Sequence, residues 1–217
     1  MIKKITLKED HELGERIRFT EVEVQRINLL FGGNGAGKST LIKDLSSGTA
    51  VSRYCPDRQF EVDYEGEPTI LCYSNTTNNW TKVKKIKDPF DAVRMLECSG
   101  YSEGQAMIQS TSDFLAVLTD ADPNKEYCVF IDEIDSGLDS VNLRKLTKKI
   151  RKIIDEHPKM QLFISFNNFE LTKLNPTWLN MYTGKYEPCP LRYEDYVNTL
   201  MVHKRQYKRS EDNKIFK

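Results

Sequence analysis

The chain has 217 residues, in which 32 Lys and Arg are balanced by 32 Asp and Glu, so the formal net charge is zero. This length suits one α/β core, and the balanced charge excludes a global field that would draw the protein to nucleic acid or to a membrane. No stretch approaches the roughly eighteen consecutive apolar residues of a membrane helix, and the N-terminus has no apolar signal core. We expect a single domain over 1–217 that is soluble, cytoplasmic and not inserted in a membrane.

The first part of the chain predicts three strands and a helix. Residues 2–7 and 16–24 alternate apolar and polar side chains, which is the pattern of half-buried antiparallel strands. Residues 27–31 then predict a short strand that is buried on both faces. A helix is predicted over 39–45. The last strand and the helix are expected to begin a βαβ unit.

The turn between that strand and that helix has the spacing G-x-x-x-x-G-K-S/T. We call residues 32–40 the phosphate loop; they are Gly32, Gly33, Asn34, Gly35, Ala36, Gly37, Lys38, Ser39 and Thr40. Residues without a Cβ let consecutive backbone N–H groups converge on phosphate oxygens, and the start of the helix directs its dipole at the same anion. Lys38 is expected to reach the β and γ phosphates, and Ser39 to place its hydroxyl on Mg²⁺. The spacing therefore favours a nucleotide site over a plain glycine-rich turn.

Strands and helices continue to alternate along the rest of the chain. The predicted elements are, in order, a hairpin of strands 59–64 and 69–73, a helix over 89–96, a helix over 105–118, a strand over 127–131, a helix over 141–156 with an apolar inner face, a strand over 161–165, a strand over 178–182 and a helix near 193–207. A mobile connector is expected after the hairpin, and a small helical lobe at about 88–120. This order is typical of an α/β fold.

Two adjacent acids follow the apolar strand 127–131. Asp132 is the candidate to hold Mg²⁺ through its water shell, and Glu133 is the candidate general base that polarises an attacking water. In α/β sheets, ligands bind outside the carboxyl ends of the strands. We expect the acids to join the phosphate loop there, although two acids after a strand also occur by chance in loops.

The cysteines are odd in number and far apart. They are Cys55, Cys72, Cys98, Cys128 and Cys189, and none stands in C-x-x-C spacing. This pattern disfavours a disulfide framework and a zinc site, so we expect reduced, packed thiols.

With these motifs the sequence resembles the ABC superfamily of ATPases, and the RecF-like and SMC-like heads more than the transporter subunits. The resemblance covers most of the chain. It implies a P-loop NTPase fold of ABC type, with a mixed central sheet, an antiparallel β subsheet and a small helical lobe. It also implies that ATP and Mg²⁺ are bound between the phosphate loop of one subunit and a serine-glycine signature of another.

The signature implied by the resemblance is matched by residues 101–105, Tyr-Ser-Glu-Gly-Gln. By analogy Ser102 and the backbone at Gly104 contact the γ-phosphate bound to a second protomer. The family's D-loop resembles residues 135–139, Asp-Ser-Gly-Leu-Asp, which end in Asp139. Ser102 is equally typical of an ordinary helix cap, and that alternative stays open.

Two positions depart from the family pattern. Asn167 stands where the switch histidine is expected, and an amide can hydrogen-bond the γ-phosphate but cannot shuttle a proton near neutral pH. Asn75 stands where the Q-loop glutamine, a metal contact, is expected, and an ordinary loop asparagine is the alternative. The implied catalytic residues are Lys38, Glu133 and Asn167. With an asparagine at 167, either hydrolysis is slow or this residue acts only as a sensor of the γ-phosphate.

We expect an ATPase that forms a homodimer on Mg-ATP and acts as a nucleotide switch for a separate partner protein or a nucleic acid. The alternatives are the ATP-binding subunit of an ABC transporter, a small-molecule kinase and a largely non-hydrolysing ATP-sensing adaptor. Basic residues at 82–87, on the outer face of helix 141–156 and at 204–209 are typical of nucleic-acid contacts but equally of a solvated surface.

Overall fold

A computed structural model describes residues 1–9, 17, 19–47, 59–75 and 102–202 of the chain. The elements are, in order, β1 (Ile2–Leu7), β2 (Glu21–Glu23), β3 (Ile27–Phe31), α1 (Lys38–Ser46), β4 (Phe60–Tyr64), β5 (Thr69–Ser74), α2 (Glu103–Thr119), β6 (Tyr127–Asp132), α3 (Ser140–Glu156), β7 (Met160–Ser165), a 3-10 helix (Phe169–Leu174), β8 (Thr177–Asn180), β9 (Lys185–Pro188) and α4 (193–202). None of the helices in these ranges is both long and apolar enough for a bilayer crossing.

The large sheet contains, among the described residues, six strands in the order β5, β6, β7, β3, β8, β9. Every neighbouring pair is parallel except β8 with β9. Parallel pairing brings the carboxyl ends of β5, β6, β7 and β3 to one edge of the sheet. The residues that follow these strands are therefore neighbours in space.

The small sheet contains, in the same described ranges, three antiparallel strands in the order β2, β1, β4. A buried glutamine of β7, Gln161, joins it to the large sheet by accepting a hydrogen bond from the Ile2 N–H and donating one to the Ile2 carbonyl, each at 2.8 Å. The predicted strands 2–7 and 16–24 pair antiparallel as expected, with the second shortened to β2. The predicted α/β class with a mixed central sheet and an antiparallel subsheet is confirmed.

Strand β6 separates two hydrophobic clusters because its side chains alternate between the two faces of the large sheet. Val129 and Ile131 pack in the cluster formed with α2 and α3. Cys128 and Phe130 pack in the cluster formed with α1 and the small sheet. The carboxyl end of β6 is thus held from both faces.

Helix α3 covers its face of the sheet with the apolar stripe that the sequence predicts. The predicted inward side chains are all buried: Leu143, Leu146, Ile150, Ile153 and Ile154. The predicted outward cations are all exposed: Arg144, Lys145, Lys148, Lys149 and Lys152. The prediction of an amphipathic helix here is confirmed.

The predicted hairpin of 59–64 and 69–73 is wrong. Strand β4 pairs antiparallel with β1 of the small sheet, whereas β5 pairs parallel with β6 of the large sheet. The turn at 65–68 lets the chain pass from one sheet to the other. A polar turn with a left-handed glycine fits both arrangements, so the long-range partners decide the pairing.

Other elements differ in their ends or lie outside the described residues. Strand β8 ends at Asn180, two residues before the predicted end, and β9 was not predicted. Three predictions lie outside the described ranges: the connector, the helix over 89–96 and the last residues of the helix near 193–207. Of the predicted small helical lobe at about 88–120, the structure describes α2. Cys72 is exposed, so the prediction of a packed thiol is wrong there.

Gly184 sits in the turn between β8 and β9, where the large sheet approaches the small one. Its φ is +67°, and a Cβ there would overlap the Cβ of Phe19. Phe19 is buried and stacks on Phe60, so it has little room to retreat. We expect Gly184→Ala to lower the free energy of unfolding by about 2 to 4 kcal/mol, since backbone strain and overpacking add.

Gly66→Ala is the matched control. Gly66 also has a left-handed φ, +74°, but a Cβ there meets the end of the flexible Glu126 side chain. Gly66→Ala introduces backbone strain without overpacking, so its free energy of unfolding should fall by about 1 kcal/mol. Urea denaturation of both variants measures the difference, and equal losses would contradict the predicted contact with Phe19.

Candidate functional site

The phosphate loop follows β3 and ends in the first turn of α1. Gly35 and Gly37 both have φ of +85°, a left-handed conformation in which glycine carries no steric cost. The first turn of α1 receives no side-chain cap, which leaves its N–H groups available to an anion. A cavity of about 430 Å³ lies over the loop, lined by residues 33–40 and by Glu133. A Cβ at Gly35 would meet nothing within 4 Å. The loop is thus an open cradle of the kind that holds phosphate.

Lys38 folds back over this loop. Its Nζ donates to the carbonyl of Gly32 at 2.6 Å, to the carbonyl of Gly33 at 3.3 Å and to Oδ1 of Asn167 at 3.4 Å. The residue is only 5% exposed. Burial lowers the pKa of the Lys38 ammonium, and nearby carboxylates, that of Glu133 first, oppose the shift. The loop therefore holds a buried cation that an anion in the cavity would stabilise.

Asp132 and Ser165 end the neighbouring strands β6 and β7 and are paired in register. Oδ1 of Asp132 accepts a hydrogen bond from Oγ of Ser39 at 2.9 Å and another from Oγ of Ser165 at 2.5 Å. Carboxylate and hydroxyl oxygens are the ligands that suit Mg²⁺. The donor set of Ser39 and Asp132 therefore fits the predicted magnesium ion.

Glu133 has a left-handed backbone, with φ of +54°. For a residue with a long side chain this conformation costs roughly 1 to 3 kcal/mol, and such strain is found mainly at functional sites. The Glu133 N–H donates to Oγ of Ser165 at 3.0 Å, and its carbonyl accepts from the Ser136 N–H at 3.2 Å. These bonds turn the chain sharply after β6 and leave the half-buried Glu133 at the rim of the cavity.

The two asparagines at the departed positions lie at the same edge of the sheet. Asn167 follows β7, is exposed, and lines an adjoining cavity of about 500 Å³ that shares residues 32–36 with the phosphate loop. Asn75 follows β5 and is buried, with its backbone N–H donating to the carbonyl of Asp132 at 3.2 Å. The structure thus places Asn75 beside Asp132 and Asn167 beside Lys38.

Ser102 and Gly104 do not line the cavity over their own phosphate loop. Ser102 caps α2 in a reciprocal arrangement: its Oγ accepts from the Gln105 N–H, and the Gln105 side chain accepts from the Ser102 N–H. The helix-cap interpretation of Ser102 is therefore confirmed within the chain. A Cβ at Gly104 would lie 3.5 Å from the carbonyl of Gly137, so the start of α2 lies against residues 135–139.

Asp139 also acts as a helix cap. Its Oδ1 accepts from the N–H groups of Val141 and Asn142, each at 2.8 Å, at the start of α3. These bonds, Asn142 first, lower the pKa of the exposed Asp139 carboxyl. Like Ser102, it is absent from the lining of the cavity over the phosphate loop. The contacts of Ser102, Gly104 and Asp139 with a nucleotide stay a prediction that needs a second protomer.

Three further side chains organise the site; Ser165 and Tyr196 lie outside every motif of the sequence, and Asp135 begins the run 135–139 that resembles the D-loop. Ser165 orients Asp132, the buried Asp135 accepts from the N–H groups of Asn167 and Asn168, and the Tyr196 hydroxyl donates to the Asn167 carbonyl. Ser165 has a sequence signal, because it ends the strand that neighbours the acidic strand. Tyr196 has none, since its contact depends on how α4 packs.

A comparison with protein-family models gives no match, and none of the curated proteins matches the sequence. Solved structures do match. The dimeric ATP-binding cassette MJ0796, described in a post-hydrolysis state bound to ADP and Pi, has a TM-score of 0.51 at 14% identity over 88% of this chain and 99% of its own. The SMC head domain from Thermotoga maritima has a TM-score of 0.51 at 12% identity, again over 88% and 99%.

A third match is cbiO1 from Clostridium perfringens, described as part of the ABC transporter complex cbiONQ. Its TM-score is 0.52 at 13% identity, over 99% of this chain and 98% of its own. At these identities the likeness concerns the fold. The six-stranded sheet, the antiparallel subsheet and the phosphate loop at the sheet edge agree with it. The chain has the fold of an ABC-type ATPase head.

Proposed function

We propose that the chain is an ATPase that binds Mg-ATP at the phosphate loop. The single observation that carries the proposal is that Lys38, Ser39, Asp132 and Glu133 meet at one edge of the sheet, at an open cavity of about 430 Å³. A cation, a hydroxyl and two carboxylates around a glycine-rich loop suit phosphoryl transfer to water. The likeness to a cassette described with ADP and Pi supports the same activity.

Each group has a distinct task in this proposal. The N–H groups of the phosphate loop and Lys38 bind the phosphate chain, and Lys38 exchanges its carbonyl partners for phosphate oxygens. Ser39 and Asp132 would hold Mg²⁺, which when bound neutralises charge on the phosphates. Glu133 accepts the proton of the attacking water. Asn167 donates a hydrogen bond to the γ-phosphate and moves no proton, so hydrolysis is slow.

We further propose that two copies of the chain enclose the nucleotide. Ser102, Gly104 and Asp139 are absent from the cavity lining of their own chain, which leaves them to a second copy. The dimeric state of the MJ0796 cassette supports this arrangement. Contacts made only in the dimer link ATP binding to dimerisation in both directions. Asn75 joins Asp132 at the magnesium ion in the same proposal.

The role that follows is a nucleotide switch, with residues 1–217 as one ATPase domain that includes a helical lobe at about 88–120. Binding closes the dimer and hydrolysis opens it, so a separate partner protein, or a nucleic acid on the basic surfaces, meets two states of the head. We place such a switch in the cytoplasm, where ATP is abundant.

The ATP-binding subunit of an ABC transporter is the second candidate, favoured by the likeness to cbiO1. Purification of the native complex separates the two, because a transporter subunit brings membrane-spanning partners with it.

Lys38→Ala tests nucleotide binding. The variant should lose ATP affinity by about 100-fold or more, because a buried ammonium aimed at the phosphates makes charge-assisted hydrogen bonds worth about 1.5 to 3 kcal/mol each. Isothermal titration measures the affinity, and circular dichroism verifies that the variant is folded. Lys43→Ala is the matched control, since Lys43 is exposed on the same helix and does not line the cavity. A folded Lys38→Ala protein with wild-type affinity would contradict the proposed site.

Glu133→Gln tests the general base and the dimer together. The amide keeps the size of the side chain but accepts no proton, so ATP should stay bound and uncleaved. Light scattering should then find a monomer without nucleotide and a dimer with Mg-ATP.

Adding Ser102→Arg to that variant should restore the monomer, because the bulky side chain occupies the space in which Ser102 would meet the nucleotide of the second copy. Ser112→Arg, at an exposed position farther along α2, is the control and should leave the dimer intact. A Glu133→Gln protein that binds ATP tightly and remains monomeric at high concentration would contradict the role of Ser102 and Gly104.

A further inference from the structure

Asn167 has both of its backbone groups held by side chains from other parts of the fold. Its N–H donates to Oδ2 of Asp135 at 2.7 Å, and its carbonyl accepts from the hydroxyl of Tyr196 at 2.9 Å. The next N–H, that of Asn168, donates to the same Asp135 oxygen at 2.6 Å. The peptide units around Asn167 are thus fixed from two sides.

Asp135 comes from the loop that follows Glu133. It is 6% exposed, and its other oxygen, Oδ1, is buried without a hydrogen bond in the part of the chain that the structure describes. Burying a carboxylate costs free energy that a neutral side chain would avoid. Its two short bonds to backbone N–H groups are charge-assisted and strong. What Asp135 contributes is therefore the geometry of the chain that leaves β7.

Tyr196 comes from α4 and is held by aromatic packing. It is 4% exposed, and its ring lies 5.9 Å from that of Phe31 and 6.1 Å from that of Trp178, measured between centroids. Phe31 is the last residue of β3, directly before the phosphate loop. The Tyr196 hydroxyl is thereby fixed relative to the phosphate loop. Through its bond to the Asn167 carbonyl it fixes Asn167 relative to that loop as well.

The side chain of Asn167 points to the phosphate site as a consequence. Its Oδ1 accepts from Nζ of Lys38 at 3.4 Å. With the oxygen turned to the cation, the amide nitrogen is the end that donates to a ligand oxygen. An asparagine side chain rotates about only two torsions. The direction of its amide group therefore depends on how the backbone of the residue is held.

We propose that Asp135 and Tyr196 are positioning residues that clamp the backbone of Asn167 and so aim its side-chain amide at the terminal phosphate. The proposal rests on the ATP-binding function proposed above and adds two residues to it. It also gives the loop 135–139 a direct link to the phosphate site. If contact with a second copy displaces the loop 135–139, the Asp135 carboxylate transmits the movement to the backbone of Asn167.

The test measures discrimination between ATP and ADP, as the ratio of the Kd for ADP to the Kd for ATP, by titration with each nucleotide in the presence of Mg²⁺. Loss of overall stability weakens both nucleotides alike, whereas loss of a contact with the terminal phosphate lowers the ratio. Asn167→Ala should lower the ratio about tenfold, as expected for one hydrogen bond to a charged group. Tyr196→Phe and Asp135→Ala should each lower it about threefold or more.

The double variants decide whether the residues act through Asn167. In the Asn167→Ala background, adding Tyr196→Phe or Asp135→Ala should leave the ratio unchanged, because the side chain that they position is gone. Asp135→Asn keeps an oxygen for the two N–H groups and should recover most of the wild-type ratio. Single-turnover hydrolysis rates should follow the same order.

Tyr186→Phe is the matched control. Tyr186 is a partly buried tyrosine of β9 whose hydroxyl donates to Asn28, and the residue does not line the cavity over the phosphate loop. It should lower thermal stability and leave the ratio unchanged. If Asp135→Ala fails to fold, Tyr196→Phe alone decides.

Reductions that persist in the Asn167→Ala background would overturn the inference and leave the proposed function standing. An unchanged ratio in Tyr196→Phe would do the same. A wild-type protein that binds neither nucleotide would overturn the proposed function and the inference with it.

Discussion

The parallel pairing of β6, β7 and β3 is the constraint on which the site depends. Register places Asp132 beside Ser165, and the same edge of the sheet receives the phosphate loop from β3. A single hydroxyl, that of Ser165, then orients the Asp132 carboxylate and accepts the N–H of Glu133. A slip of one residue in β7 would send that hydroxyl to the other face of the sheet. The positions of the polar groups in the site therefore depend on the register of the apolar strands that carry them.

The site concentrates costs that the core has to offset. Glu133 has a strained backbone, Lys38 is a buried cation, and Asp135 is a buried carboxylate with one oxygen unpaired among the described residues. Each of these is unfavourable alone. They persist because β6 is fully buried between two hydrophobic clusters that hold its carboxyl end. This balance is typical of functional sites, where local rules are broken and stability comes from elsewhere.

Local spacing made part of the site predictable. The phosphate loop and the pair Asp132 and Glu133 each occupy a short run of sequence, and the amphipathic stripe of α3 follows from helical periodicity. The hairpin prediction was wrong because β4 and β5 find partners far away in sequence. The role of Tyr196 was not predicted for the same reason. Its contact with the Asn167 carbonyl depends on how α4 packs, and no local sequence pattern indicates that contact. The cap formed by Ser102 was the alternative to its signature role, and the structure shows that cap. The predicted contact of Ser102 with a second protomer's nucleotide stays a prediction, because one chain does not contain it.

The proposed function depends on one property of the molecule, which is that the phosphate loop binds the phosphate chain of a nucleotide together with Mg²⁺. Equilibrium titration of the wild-type protein with ATP, ADP and AMP, each with and without Mg²⁺, tests it most directly. We expect that ATP and ADP bind, that Mg²⁺ strengthens the binding of both, and that AMP binds at least about 100-fold more weakly because it lacks the β-phosphate that Lys38 and the loop N–H groups hold. Equal binding of AMP and ATP, or affinities that Mg²⁺ does not change, would contradict it.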